Sequence, residues 1–391
     1  MISIKPSLEK VVKDIDRIFK GHLLRVYRHH PNGSGHVCFG ERLYVLDDSI
    51  RSKTETRKDL FGEVCKECLD EEVMREGDNP KKYAKINIIP SKGIFLLNET
   101  KRKIEDRMIA EGKIKKRGIY FNIGTVKKQH PDIVDFLCSY FDEFNVEKSF
   151  IAEFDSSFTN EILKETKPKT YSNLEKVVSV AHSSNGWVDN QENLIRDGKL
   201  SVEKLIASRD DVLDYLMSHN ISFEGAFKEM ERIRKGQKLN PLPEEKGIES
   251  WFVDTCNKIK YLFPRGHTLQ MLNVAVLSTY FKKEYPLEFY VSCLNFNKDY
   301  VLLRDVSFQS EEDEIKKSII SLKNEREKMD DYDKYCGSGE IIIEKIRLLR
   351  MLIELKRHNI SLIEPDIKVS QTEEVVIDYE KNALILPIHF N

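Results

Sequence analysis

The sequence predicts an α+β chain in two parts. Short runs rich in β-branched and aromatic residues are confined to the first third, while helical spacing of apolar residues dominates from about residue 148. The end of the chain reads as a β-hairpin. These observations give a mixed α+β domain over residues 1–147 and a mainly helical domain over 148–391. A chain of 391 residues can bury one large or two ordinary cores.

In the first part, Arg42 to Leu46, Ile86 to Ile89 and Gly118 to Ile123 read as strands, and Leu8 to Phe19 and Leu60 to Glu76 as helices. In the second part, Ser201 reads as the N-cap of a helix carrying Leu205, Val212, Leu213, Leu216 and Met217 on one face, with Arg209 and Asp210 on the other. A helix from Phe223 to Lys235 should stop at Gly236, which is free to adopt positive φ, and Pro241 and Pro243 keep the following link extended. Two more helices, Glu249 to Leu262 and Thr268 to Lys283, are delimited by Pro264 and Pro286. The acidic run from Glu311 opens a solvated helical stretch, and Gly337-Ser338-Gly339 reads as a break. Ile341 to Lys356 is an amphipathic helix, and Val375 to Asp378 with Ala383 to Leu386 forms the closing hairpin.

The 63 basic and 65 acidic residues leave a formal net charge of −2, so any attraction to phosphate must come from local clusters. No apolar run has the length of a signal peptide or of a membrane span, which points to a cytoplasmic protein without a membrane partner. Seven dispersed cysteines are an odd number and do not form the even framework of a secreted scaffold. No phosphate-binding Gly-Lys-Ser/Thr loop, His-Glu-x-x-His or nucleophile elbow occurs, and no solenoid repeat is visible.

His36, Cys38, Cys65 and Cys68 have spacings that a zinc ion could use, and equally those of ordinary thiols. Between Lys101 and Lys128, ten basic residues stand against three acidic ones, which makes Lys101, Arg102, Lys115, Lys116 and Arg117 candidates for DNA-backbone contact and suits a solvated helix equally well. The one adjacent acidic pair at a strand end, Asp47-Asp48, would direct its carboxylates to opposite faces and is not assigned to catalysis.

A collinear series of motifs then narrows the field. Glu165 to Thr170 follows E-D-T-K-P-T-T-F, and Ala181-His182 through Trp187, Asn190 and Leu194-Ile195 follows S-H-G-T-D-V-W-L-G-N-A-Q-E-L-I. Ser208 to Leu216 follows C-R-D-D-I-M-V-Y-L, Arg234-Lys235-Gly236 follows R-K-G, and Cys256 to Pro264 follows C-K-K-I-K-Y-M-F-P. On these residues the chain from about Phe150 to Asn391 resembles the fingers region of the PolC-type (family C) DNA polymerase III α subunit. The resemblance implies a helical platform presenting cations to nucleotide or DNA phosphates: His182, Arg209, Lys258, Lys260, Arg265 and His267. The alternation of Lys258 and Lys260 with apolar neighbours also suits the solvated face of an amphipathic helix, and both readings stand.

Two departures from the family pattern shape the functional expectation. Arg265-Gly266-His267-Thr268-Leu269-Gln270-Met271 stands where the family has K-A-H-A-A-A-Y, and no counterpart of the palm's P-D-I-D carboxylates is recognisable. Ile123 to Val126 and Gln129 to Pro131 are similar to palm fragments, as a shrunken palm or by coincidence. The expectation is a replication-associated protein of phage or mobile-element origin that lacks autonomous polymerase activity. It would bind DNA, nucleotide or host or phage replicase components as decoy or regulator, with no catalytic residue and no cofactor of its own. The rival expectation is the fingers-bearing subunit of a split polymerase, with Mg²⁺ held by a palm-bearing partner. A relic serving only protein contacts is a third.

Overall fold

The computed structural model describes residues 25–29, 41–46, 54–58, 64–69 and 84–88 by their backbone. From residue 92 it describes the chain up to 388, apart from 120, 122, 242–245, 298–309, 331–332, 334–337, 367, 369 and 372–373. Two units are distinguished, Met1–Lys92 and Gly93–Asn391. The division falls well before residue 147, because the helices between them and that point pack into the cores of the second unit.

In the first unit β1 (Arg25–His29), β2 (Glu41–Leu46), β3 (Thr54–Lys58), β4 (Val64–Leu69) and β5 (Ala84–Ile88) form one sheet in the order β3-β4-β1-β2-β5. The β1/β2, β2/β5 and β3/β4 pairs are antiparallel, and β1/β4 is parallel. The strands expected near Arg42 and Ile86 are present. The helix expected over Leu60 to Glu76 is not, since its centre is β4, where ladder pairing with β3 overrides the local helical spacing. The Leu8 to Phe19 helix, His36, Cys38 and Asp47-Asp48 lie outside the described residues.

The second unit begins with α1 (Lys92–Ala110), a helix not anticipated, although Leu96, Thr100, Ile104 and Met108 recur every fourth residue. Among the described residues of the strand expected at Gly118 to Ile123 none is in a strand: residues 111–119 are irregular, and Ile123 opens α2 (Ile123–Gln129), followed by α3 (Asp132–Cys138). Next come α4 (Ser157–Thr166), capped by Ser156, and α5 (Tyr171–Ala181), capped by Thr170. A kinked turn from Trp187 to Gln191 leads into α6 (Glu192–Arg196).

Ser201 precedes only a single 3-10 turn. The helix expected there is α7 (Arg209–Ser218), and Ser208 caps it, because Asp211 lies three residues on and completes a capping box. α8 (Phe223–Ile233) buries Ala226, Met230 and Ile233 on one stripe, and Gly236 follows at φ +72°. A Cβ on Gly236 would lie 2.7 Å from the Lys260 carbonyl oxygen, so only glycine allows this turn to approach residue 260.

α9 (Ser250–Lys258) stops at Lys258, short of the predicted Leu262, and α10 (Arg265–Glu284) starts immediately after Pro264. α11 (Pro286–Asn297), α12 (Glu312–Glu327) and α13 (Ser338–Arg357) complete the helices. Ser338-Gly339 opens α13, which therefore starts three residues before the expected Ile341. The expected hairpin is present as β7 (Val376–Asp378) and β8 (Ala383–Ile385), joined by β6 (Ser361–Ile363), which runs parallel to β8.

Three apolar clusters organise this unit. One joins α1, α11, α12, α13 and the small sheet, a second joins α2 to α5, and a third joins α7, α8 and α9. α10 is shared, with Phe281 in the first cluster and Leu272, Ala275 and Val276 in the second. Each fully buried Leu, Ile or Phe contributes roughly 1.5–3 kcal/mol. The N-terminal end of α10 is therefore held by the packing of its own C-terminal turns. No described helix is long and apolar enough to cross a membrane.

Candidate phosphate-binding surface

The six residues expected to meet phosphate converge on the extended stretch between α9 and α10. Ile259 and Leu262 anchor that stretch in the third cluster, 2% and 1% exposed, while Lys258 and Lys260 remain at the surface. The backbone is pinned from both sides. Lys260 N–H donates to the Ser184 carbonyl at 3.0 Å, Ser184 N–H donates to the Tyr261 carbonyl at 3.0 Å, and Arg209 N–H donates to the Phe263 carbonyl at 3.1 Å. Residues from α5, α7 and α9 thus gather around one rigid strand-like segment.

Phe263 is the hub that sequence reasoning missed. The His182 ring stacks on it at 5.0 Å, and His267 meets its edge at 5.2 Å. His182 Nε2 is 2.6 Å from Glu153 Oε2, and Glu153 sits at φ +69°. His182 is therefore a hydrogen-bonded histidine stacked on an aromatic ring, with a carboxylate already at one nitrogen.

Arg265 is engaged by carboxylates of the chain itself. Its guanidinium meets Asp211, Asp214 at 2.9 Å and Glu175 at 3.8 Å, and its backbone N–H donates to Asp210 Oδ2 at 3.1 Å. Burial acts against its charge, but Asp211, Asp214 and Glu175 overcome that and hold its pKa above the ordinary arginine value. Asp211 is only 3% exposed and also accepts from Lys176 Nζ at 2.5 Å and from the Ala207 and Ser208 N–H groups at 3.0 and 2.8 Å. Burial alone would raise its carboxyl, and Lys176 and Arg265 instead keep it below the usual carboxylate range. Glu175 is pushed up by burial and by the neighbouring Asp211, and it accepts from Ser179 Oγ at 2.8 Å.

The carboxylates beside Arg265 do not fit a magnesium site of the kind a polymerase palm would use. Asp211 is saturated by two cations and two amides, and Asp214 and Glu175 are turned onto the same guanidinium.

The cations left facing solvent are Arg209, Lys258 and Lys260. Arg209 is 42% exposed with its nearest carboxylate, Asp210, at 4.0 Å, a pairing of little energetic consequence. Lys258 uses one N–H on the Asp189 carbonyl at 3.0 Å, and Lys260 makes no side-chain ion pair among the described residues. The second basic cluster is mostly neutralised within α1 and the loop after it. Lys101 pairs with Glu105 at 3.5 Å, Arg102 with Glu99 at 2.8 Å, and Arg117 with Asp106 at 2.5 Å. Lys115 and Lys116 stay exposed and unpaired among the described residues.

Residues 107–258 match the family model for the bacterial DNA polymerase III alpha subunit finger domain, which therefore reaches some forty residues upstream of the expected start. The chain is similar to the DNA polymerase III PolC-type of Ureaplasma parvum, 32% identical over 245 residues, which is 61% of this chain and 16% of that protein. The corresponding protein of Staphylococcus saprophyticus is 30% identical over 246 residues with the same coverage, and that of Mycoplasma genitalium is 37% identical over 150 residues, 37% of this chain and 10% of that protein. The chain carries a PolC-like fingers region, and the matched length is about a sixth of the first two relatives. His182, Arg209 and Lys258 lie within the family-model match; Lys260, Arg265 and His267 follow it.

Proposed function

We propose that this chain is a replication-associated fingers module that binds DNA or nucleotide through phosphate and does not extend a primer by itself. One observation carries the reading: around the segment between α9 and α10, Arg209 of α7, Lys258 at the end of α9 and Lys260 face solvent, while Arg265 is engaged by Asp211, Asp214 and Glu175. A platform of this kind grips anionic ligands, yet the carboxylates next to it are engaged with the protein's own cations and are not free to hold metal for phosphoryl transfer. Its cellular role is then that of a regulator or decoy for a replicase in the cytoplasm, occupying template or nucleotide without turning over.

Primer extension tests this. The purified chain, a primed template, Mg²⁺ and the four deoxynucleoside triphosphates should give no extended product, whereas extension by the chain alone overturns the proposal. Extension that appears only when a palm-bearing polymerase fragment is added would replace the regulator reading with that of a split-polymerase subunit, which the same open cations would serve.

A further inference from the structure

We infer that the surface beside α8 is a stacking platform for single-stranded nucleic acid, with Tyr261 as the base-stacking side chain. The inference rests on the reading that this surface meets DNA, and it names the form of DNA taken. Tyr261 follows Lys260 on the pinned segment and is 40% exposed, while backbone hydrogen bonds with Ser184 fix the chain at residues 260 and 261. The R-K-G turn after α8 is brought against it, since the glycine at 236 allows its backbone to reach Lys260. Basic residues flank Tyr261 in the chain and on the neighbouring turn: Lys258 ends α9, Lys260 precedes the ring, and Lys235, with its side chain 55% exposed, belongs to the turn that Gly236 brings against Lys260. Arg234 is held by Glu231 at 2.5 Å, and Tyr261 is among the neighbours that favour its charge.

Phosphate contact alone requires only the lysines. A partly exposed aromatic ring on a pinned backbone, with basic residues nearby in the chain, adds a flat apolar face to them, the combination by which proteins hold unpaired bases while tracking the backbone. Bases inside a duplex are stacked on one another and present no free face, so the platform selects single strands.

The test compares a fluorescently labelled oligothymidylate with an abasic oligonucleotide of equal length, by anisotropy at low salt. The wild-type chain should bind the base-bearing strand more tightly. Tyr261→Ala should weaken that binding by about tenfold and leave abasic binding unchanged. Tyr261→Trp should retain it, and Lys260→Ala should weaken both strands alike. Equal affinity of wild type for the two strands, or unchanged oligothymidylate binding by Tyr261→Ala, overturns the stacking platform while leaving phosphate binding intact. No binding of either strand by wild type would remove the functional reading together with this inference.

Discussion

Replacing Asp211 with alanine should destabilise the helical unit by about 3–5 kcal/mol, because it removes one partner of a buried ion cluster and leaves the others uncompensated. Lys176 and Arg265 both lose their closest carboxylate, and the N–H groups of Ala207 and Ser208 lose their acceptor at the start of α7. Thermal unfolding should register a fall of at least about 6 °C. Asp211→Asn keeps the shape and one amide acceptor, so its loss should be smaller. The pH dependence has a definite sign. Asp211 titrates below its ordinary value in the folded chain, so its contribution is fully present above about pH 4 and is lost as pH falls through the folded pKa. That acid-sensitive component should be missing in Asp211→Asn, and an unchanged acid limb would remove the cluster from the argument.

Asp155→Ala should cost a comparable amount, about 3–5 kcal/mol. Asp155 receives the Arg347 guanidinium, Arg350 Nη1 at 3.2 Å and the Phe150 N–H at 3.3 Å, and its own backbone carbonyl accepts from Arg350 at 3.0 Å. It sits where two cores meet, with Phe150 in the first cluster and Ile151 and Phe154 in the second, so Arg350 would lose its carboxylate in the interior and Arg347 would keep only Glu344. Burial opposes the charge of Asp155, and the two arginines nevertheless keep its pKa low. By contrast Lys199→Ala, which removes the exposed pair with Asp197 at 2.8 Å, should change stability by less than about 0.5 kcal/mol. A similar loss at both sites would mean that burial is not what gives the Asp155 cluster its weight.

Much of the architecture could be read from local chemistry. Gly236 ended its helix with the positive φ that glycine tolerates, Pro264 separated two helices, and the closing hairpin took the expected pairing. Errors arose where two local signals competed or where partners lay far apart in sequence. Ser201 and Ser208 are both plausible caps, and only Ser208 has an acid three residues on that returns the hydrogen bond. Val64 to Leu69 has helical spacing in isolation and becomes a strand through pairing with β3. In the site, the convergence of His182, Arg209, Lys258, Lys260, Arg265 and His267 was legible through the family resemblance. The engagement of Arg265 was not, because Glu175 and Asp211 lie on other helices and nothing in the surrounding motif announces them. Phe263 lies inside the quoted Cys256 to Pro264 motif, but its stacking on His182, like the Glu153 contact of that histidine, joins parts of the chain that are far apart in sequence.

The division of labour between exposed cations and a locked Arg265 is tested most directly by the salt dependence of DNA binding. The logarithm of the association constant of a labelled primer-template, plotted against the logarithm of salt concentration, has a slope set by the number of phosphates neutralised. Replacing Arg209, Lys258 and Lys260 together with alanine should flatten that slope by roughly 2–3 and weaken binding most at low salt. A triple variant that keeps the wild-type slope and affinity would contradict the assignment of these three residues to phosphate.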